Sequence, residues 1–445
     1  MAKQNVDELL KVARECVKVA TKAGAKEVAA SASQGREVGV QWRDGKLEKI
    51  HEATTRGVSV ELYVDGRYGA VRTGDLRPQA LEDFIKEAVV MTRSIAKDPF
   101  RSLPDPKLYE GQPKVDLELA DSKYAEMTPE RRKELVKEIE DAARTVPGAK
   151  SILSVTSGFG DERGVTWRVQ SNGFEGSVTS TVFSASADVS VKDSDGRKPE
   201  DWSASVARFF NDMPPVAEEG KKAALKALEQ RGSTKYKSGV MTMAVDNRTA
   251  GRLVMALLGP LGGQALQQKR SFLENKLGTR IGSEIFTVVD DPLIKRGMGS
   301  QLFDGEGIAS KVRPVFEKGI LKTYFIDTYY AKKLKVAPTT GGISNLLLPV
   351  GQLSQEKLLA QMKDGILVTA FLGGNSNTTT GDYSFGVQGF RVEKGQKAGP
   401  VSEMNISGNL SELFTKLVAF GDDPYPYSRV RVPTLLFEGI QFAGV

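Results

Sequence analysis

Histidine and cysteine are nearly missing from this chain: among 445 residues there is one of each, His51 and Cys16. No disulfide can form within the chain, which fits a reducing compartment. A zinc site built from His and Cys takes three or four ligands, and this chain supplies two at most. Zinc fingers, zinc-histidine proteases and haem attachment sites are therefore excluded by arithmetic. Carboxylate-only sites for Mg²⁺ or Ca²⁺ stay open. Long apolar runs are missing too. The longest nearly apolar stretch, Leu253 to Gly263, is well short of the roughly 20 residues that span a bilayer. The amino terminus runs straight into charged residues and lacks the apolar stretch of a signal peptide. No run of five or more like charges occurs, and 62 basic against 56 acidic residues leave only +6 at pH 7. Spread over the chain, that mild excess does not demand a nucleic-acid partner. These absences predict a soluble, cytoplasmic chain with no membrane and no direct nucleic-acid partner.

What is present reads as ordinary globular composition, 40% hydrophobic and 27% charged, and the length favours two or three domains. Residues 5–23 have the period of an amphipathic helix, with Leu9, Ala13, Cys16 and Ala20 on one face, so Cys16 is expected to be a buried small side chain. From Glu27 to Arg72 the period becomes two, and Asp44-Gly45 and Asp65-Gly66 mark hairpin turns. A helix over about 77–97 completes a first unit, 1–97. Residues 98–113 contain four prolines and read as a linker. A second unit, 114–231, has a helix at about 129–145 with Leu135, Val136, Ile139 and Ala142 on one face. It continues with strands over 151–210, clearest at Ser177–Phe183, whose alternation suits a sheet with one packed and one solvated face, and ends in a helix at about 214–230. The third unit, 236–445, opens with a strand at Val240–Val245. Asp246 or Asn247 then caps a helix through about Leu258. Many glycines follow, separated by strand-like pieces. The fold class is α+β: helices on mostly antiparallel sheets, in two to three sub-domains.

The chemistry legible residue by residue is sparse. His51-Glu52 starts like a zinc-protease motif, but Thr55 and Arg56 stand where a second His would be needed, and the segment reads as strand. A Ser-His-Asp triad would have to recruit the same His51, and no Gly-x-Ser-x-Gly elbow occurs. Ser94–Lys97 and Ser354–Lys357 match the Ser-x-x-Lys spacing. Ser354 reads better as the cap of a helix starting at Gln355, and Lys97 as a cation at a helix end. Gly45-Lys46 and Gly220-Lys221 lack the Ser/Thr of a phosphate loop. Asp290-Asp291, Asp304-Gly305-Glu306 and Asp422-Asp423 could offer oxygens to a hard cation, but read as solvated turns. On residue chemistry alone, no catalytic centre is visible.

An ordered series of segments in the last unit is more specific. It comprises Phe303-Asp304-Gly305-Glu306-Gly307, Glu317-Lys318-Gly319, Gly341-Gly342-Ile343-Ser344-Asn345 and Thr380-Gly381-Asp382-Tyr383-Ser384-Phe385-Gly386. Gly389-Phe390-Arg391-Val392-Glu393-Lys394-Gly395, Pro400-Val401 and Ile406-Ser407-Gly408-Asn409-Leu410 complete it. In this order the chain resembles the TldD/PmbA family, and within it the TldE (PmbA) branch, over nearly its whole length. The resemblance implies the following. The catalytic TldD branch is a zinc metallopeptidase with a His-Glu-x-x-x-His helix and a Cys ligand near its carboxyl end. Registered on Ser271-Phe272, that helix corresponds here to about Val254–Gly259, where no imidazole or carboxylate stands, and no Cys follows Cys16. The implied role is the non-catalytic subunit of a heterodimer that encloses a cavity and cleaves unfolded or flexible peptides, with no cofactor in this chain and zinc in a TldD-like partner. A link to DNA gyrase, for which the family was also named, is implied only through peptide processing. Peptides could be held there as an added strand, and the Gly-, Ser- and Thr-rich segment Gly373 to Gly386 is the expected wall or loop of the cavity. Its candidate residues are Gly373, Gly374, Asn375, Gly381, Asp382 and Gly386. The competing expectations are a protease-independent peptide-binding or scaffold protein, and an autonomous hydrolase using Ser-Lys or carboxylate-metal chemistry.

Overall fold

The computed structural model describes residues 3–445. Helix α1 (Lys3–Lys22) leads into strands β1 (Glu27–Arg43), β2 (Lys46–Val64) and β3 (Arg67–Thr73), then helix α2 (Pro78–Thr92). Asp44-Gly45 and Asp65-Gly66 take φ of 48° and 79°, and 50° and 75°, as two-residue turns between right-twisted strands require. Leu9, Ala13, Cys16 and Ala20 of α1 are buried against Val28, Ala30, Val60 and Leu62 of the sheet. Burial pushes the Cys16 thiol up to about 12, which leaves it an inert core side chain. Helix α2 stops before residue 97 because tertiary bonds turn the chain. Arg67 Nε donates to the Ile95 carbonyl at 2.9 Å, and the Asp98 N–H to Gly66 at 2.8 Å. Lys97 therefore lies beyond the helix, not at its end.

The proline-rich segment 98–113 contains one 3₁₀ turn, Pro106–Tyr109, and lies fastened across the molecule. Leu103 is buried with Ala29 and Tyr63, Asn172 Nδ2 donates to Pro104 O at 2.9 Å, and the Ala309 N–H to Leu108 O at 2.9 Å. Next come helix α3 (Pro129–Ala143), strands β4 (Ile152–Gln170), β5 (Glu175–Val191) and β6 (Glu200–Ala207), and helix α4 (Ala217–Glu229). One antiparallel sheet of six strands, in the order β3-β2-β1-β4-β5-β6, runs through both segments that flank the strap. β1 pairs with β4 from Ala29–Gln170 to Arg43–Thr156. The buried sets under α1 and α2 and under α3 and α4 both draw on the even-numbered residues of β1, from Val28 to Val40, so all four helices cover one face. Arg132 on α3 donates to both Asp161 carboxylate oxygens, at 2.6 and 2.9 Å, a fully buried pair that fixes α3 on β4.

The remainder has strand β7 (Gly239–Val245), helices α5 (Asn247–Met255), α6 (Leu258–Leu261) and α7 (Gly263–Gln267), and strands β8 (Val288–Asp290), β9 (Arg313–Glu317) and β10 (Ile320–Leu321). Helix α8 (Thr328–Leu334), strand β11 (Leu346–Leu347), helix α9 (Gln355–Met362), and strands β12 (Gly365–Ser376), β13 (Asp382–Glu393) and β14 (Gln396–Asn409) follow. Helix α10 (Leu410–Leu413) and strands β15 (Leu417–Phe420), β16 (Val430–Arg431) and β17 (Leu435–Ala443) end the chain. Five short strands form one sheet, β10-β9-β8-β11-β16, and six form another, β14-β13-β12-β7-β17-β15. β14 also pairs with β17, so five of those strands close on themselves and lose their free edges. Pairing is antiparallel except for β7–β12 and β11–β16. Ser354 caps α9 as expected, accepting from the Lys357 N–H.

Two acidic turns are not solvated as expected. Asp290 is 2% exposed and accepts from the Ser344 N–H and Oγ at 2.7 and 2.6 Å. Asp304, 7% exposed, accepts from the Glu306 and Ile308 N–H groups and from Thr340 Oγ1. The glycine-rich connections leave backbone N–H groups without ladder partners, and these carboxylates supply the acceptors. Burial pushes both pKa values up. Asp422 is exposed, as a turn residue should be, but Asp423 is half-buried and accepts from the Thr434 N–H and Oγ1 at 2.9 and 2.8 Å.

Candidate functional site

Val254–Gly259, the segment that the resemblance sets against the catalytic branch's motif, follows a helix start made of local chemistry. β7 ends at Val245, and the carboxylate of the next residue, Asp246, caps α5 by accepting from the Arg248 N–H at 3.1 Å. The helix buries Ala250, Leu253 and Val254 in the core and breaks after Met255, short of the expected Leu258. The one-turn α6 resumes at Leu258. Val254 and Leu257 are 2% and 1% exposed and packed among core side chains. No imidazole, carboxylate or thiolate stands between Val254 and Gly259, so these residues do not fit a zinc ion. Among the described residues, no three His, Cys, Asp or Glu side chains gather as ligands would.

What α5 presents instead is Arg252. Its guanidinium donates to the carbonyls of Phe371 at 2.7 Å, Gly373 at 2.5 Å and Gly374 at 3.2 Å, and lies 4.9 Å from the Phe385 ring centroid. The last two carbonyls belong to a bulge in β12 between Leu372 and Asn375. Gly373 and Gly374 have φ of 61° and 73°, and a Cβ on Gly374 would lie 2.0 Å from Ser384 O. Both glycines and Asn375 are exposed. The turn beyond is braced. Asp382 accepts from Thr380 Oγ1 at 2.7 Å and Asn409 Nδ2 at 2.9 Å, and these bonds hold its pKa below the ordinary carboxylate range. Gly381, at φ 84°, lies against Asn409 and Phe272, and Gly386 faces Leu372 O across the hairpin. Gly373, Gly374, Asn375, Gly381, Asp382 and Gly386 thus share one hairpin, where the glycines admit close backbone approach. Beside its tip, Thr378 and Thr379 border a cavity of about 500 Å³ with Gly259, Asp327 and Tyr330.

The larger concavity is the helix-free face of the first sheet. Its rows run His51–Gly39–Gly160–Ser184, then Lys49–Gln41–Gly158–Ser186, then Arg43–Thr156–Asp188–Trp202. Two hollows of about 380 and 870 Å³ share Thr156 and Asp188 and form one trough over these rows. Ala370, Leu372 and Gln388 of the bulged hairpin, with Ser402 and Glu403 of β14, line the same trough. Glycine, serine and threonine make up half of these rows, so an extended chain could lie close to the strands over Gly39, Gly158 and Gly160. Burial raises the Asp188 pKa and nearby Glu200 adds to the shift, against the pull of Arg43. His51 is exposed on β2 and borders the smaller hollow. Among the described residues of the trough, no serine hydroxyl is hydrogen-bonded to His51 or Asp188. Sequence reasoning did not find this trough, although Ser184, Ser186 and Ser190 alternating with Ala185, Ala187 and Val189 signalled a small polar face.

Comparison with known proteins matches three family models: PmbA/TldA metallopeptidase domain 1 over residues 28–92, the central domain over 122–231 and the C-terminal domain over 238–444. The chain is 29% identical to metalloprotease PmbA of Escherichia coli O157:H7, covering 94% of this chain and 92% of that one. A crystal structure from Bacteroides thetaiotaomicron, described as a candidate modulator of DNA gyrase, superimposes with TM-score 0.95 at 40% identity over 99% of both chains. TldE from Thermococcus kodakarensis shares the fold, with TM-score 0.85 at 19% identity over 97% of this chain and 100% of that one.

Proposed function

The chain belongs to the PmbA/TldD metallopeptidase family, in its PmbA (TldE) branch, and from that premise we propose that it is the cavity-shaping subunit of a two-chain zinc protease. A TldD-type partner carries the zinc, and the pair cleaves unfolded or flexible peptides in the cytoplasm. The observation that carries the reading is the replacement across α5 and α6: Val254, Met255 and Gly259, none of them a metal ligand, stand at the His, Glu and His positions of the motif, while Arg252 of α5 braces the bulged hairpin that walls the trough. In this reading the chain's residues bind and orient. The glycines and serines of the floor admit main-chain contact with peptides of many sequences, and a cavity closed by the partner would keep folded proteins out. Ala370, Leu372 and Gln388 wall it, and Gly373, Gly374, Asn375, Gly381, Asp382 and Gly386 shape the hairpin that carries them.

Co-expression with a TldD-type chain from the same genome, followed by size exclusion and peptide assays, tests the proposal. The expected result is one co-eluting species that cleaves unstructured peptides, with zinc bound in proportion to the partner. This chain alone is expected to be inactive, and His51→Ala in the complex to leave turnover nearly unchanged. Two chains that never co-elute, or a lone chain that cleaves peptides, would overturn it.

A further inference from the structure

Strand β2 is paired along its whole length on one side and along only part of it on the other. β1 pairs with it from Lys46 to Tyr63, whereas β3 pairs only from Val58 to Val64. Residues 46–57 are therefore a sheet edge about 40 Å long at ~3.3 Å per residue. Unpaired N–H and C=O groups over that length are a template for another strand, and proline, which would blunt such an edge, is absent from the run. A second, independent feature lies beside it. On the helix-covered face, Val40 of β1 is buried under the α3 layer and Trp42 packs against it. Their cross-strand partners Ile50 and Leu47 are 53% and 41% exposed, because the helix layer stops short of them. The charges on the edge are unequally engaged. Glu48 pairs with Arg43, Glu52 with Arg36 and Arg56 with Glu8. Lys46 and Lys49 have no carboxylate partner among the described residues.

We propose that residues 46–56 of β2 are the docking edge for a β-strand of the partner chain, which extends the first sheet, covers Ile50 and Leu47 with apolar side chains and sets carboxylates beside Lys46 and Lys49. The inference rests on the two-chain reading above and adds the surface through which the chains meet. A second copy of this chain fits the edge poorly. Two-fold pairing must place residues of the same face opposite each other. The register that sets Ile50 on its own mate brings Glu48 toward Glu52 twice, and the one that sets Lys49 on its own mate stacks two cations. A loose peptide could satisfy the backbone but would not cover an apolar pair on the opposite face from the trough. Lys49 and His51 border that trough, so a strand added here continues its floor into the partner.

The test uses this full-length chain with its TldD-type partner. Hydrogen exchange should show amides in 46–56 slowing markedly on complex formation, and Ile50→Lys should raise the Kd at least tenfold. The double variant Lys46→Glu/Lys49→Glu should weaken binding comparably. All three side chains are exposed, so far-UV CD and the thermal midpoint of each lone variant should match the parent. Complex formation with unprotected 46–56 amides and an unaltered Kd for Ile50→Lys would overturn the docking edge and leave the two-chain reading standing. Failure of the parent chains to associate would remove both. Equal protection from self-association of this chain, or from reduced carboxymethylated α-lactalbumin added as an unstructured probe, would assign the edge to another occupant and overturn the proposal.

Discussion

Glu306 shows what a single residue contributes away from the trough. Its carboxylate accepts from the Thr328 N–H at 2.9 Å and from Thr328 Oγ1 at 3.0 Å. Burial pushes its pKa up to about 7, with Asp304 and Asp327 adding to the rise against the Thr328 bonds. A carboxyl whose pKa is raised by folding favours the folded state fully below its unfolded value, near 4.5, and that contribution is lost as pH climbs through 7. Glu306→Gln keeps an acceptor for Thr328 and removes the charge. The variant should match the parent in stability at pH 4 and exceed it at pH 8 by on the order of 2 kcal/mol. Thermal midpoints of both proteins at pH 4, 6 and 8 measure the difference; a gap independent of pH would refute the account. Asp304 and Glu306 were legible in the sequence as a turn. Their burial was not, because the elements that cover and bond them, Thr328 and Thr340, are distant in the chain.

At the scale of elements, the β12–β13 hairpin depends on backbone close approach as much as on side chains. Gly374 and Gly66 both have positive φ, 73° and 75°, but a Cβ on Gly374 would lie 2.0 Å from Ser384 O, whereas one on Gly66 would meet open space. Gly66→Ala should cost about 1 kcal/mol from backbone strain alone. Gly374→Ala carries the same strain plus the clash, and should cost about 2 kcal/mol or more and impair peptide turnover by the complex. Paired thermal melts of the two variants check the contrast, which fails if both are tolerated equally. The glycines were visible in the sequence, as a wall or loop among strand-like pieces. The bulge and its brace were not, since Arg252 reaches carbonyls more than 100 positions away and no local pattern announces that bond.

For the molecule as a whole, the first sheet and the carboxyl-terminal region are joined by polar contacts beside the trough. Arg248 on α5 donates to Asp201 Oδ1 on β6 at 2.7 Å and to the Trp202 carbonyl at 2.5 Å, and both charged side chains are almost wholly buried. Breaking a buried pair from one side leaves the other charge uncompensated, typically at a cost of about 3–5 kcal/mol. Arg248→Met should therefore loosen the junction and speed proteolytic cleavage within 232–238, while Asp201→Asn/Arg248→Met should recover much of the protection. Cleavage rates indistinguishable from the parent would show that the pair does not hold the halves together.

The sequence by itself determined the local order of this protein. Period-two stretches, Asp-Gly turns and the apolar faces of α1, α3 and α4 follow from side-chain spacing along one element, so each could be read in place. Composition likewise settled that one His and one Cys cannot build a zinc site, since ligand count needs no geometry. Tertiary structure alone decided that segments on both sides of the proline-rich strap share one sheet, because strand pairing joins residues such as Gly39 and Gly160 that no local rule connects. It also decided that the helix-free face of that sheet becomes a trough, walled by a hairpin nearly two hundred residues further on. It left β2 half unpaired, since β3 ends at Thr73 while β2 continues past it. Concavity and free edges are properties of how elements meet, and they exist only once the chain has folded.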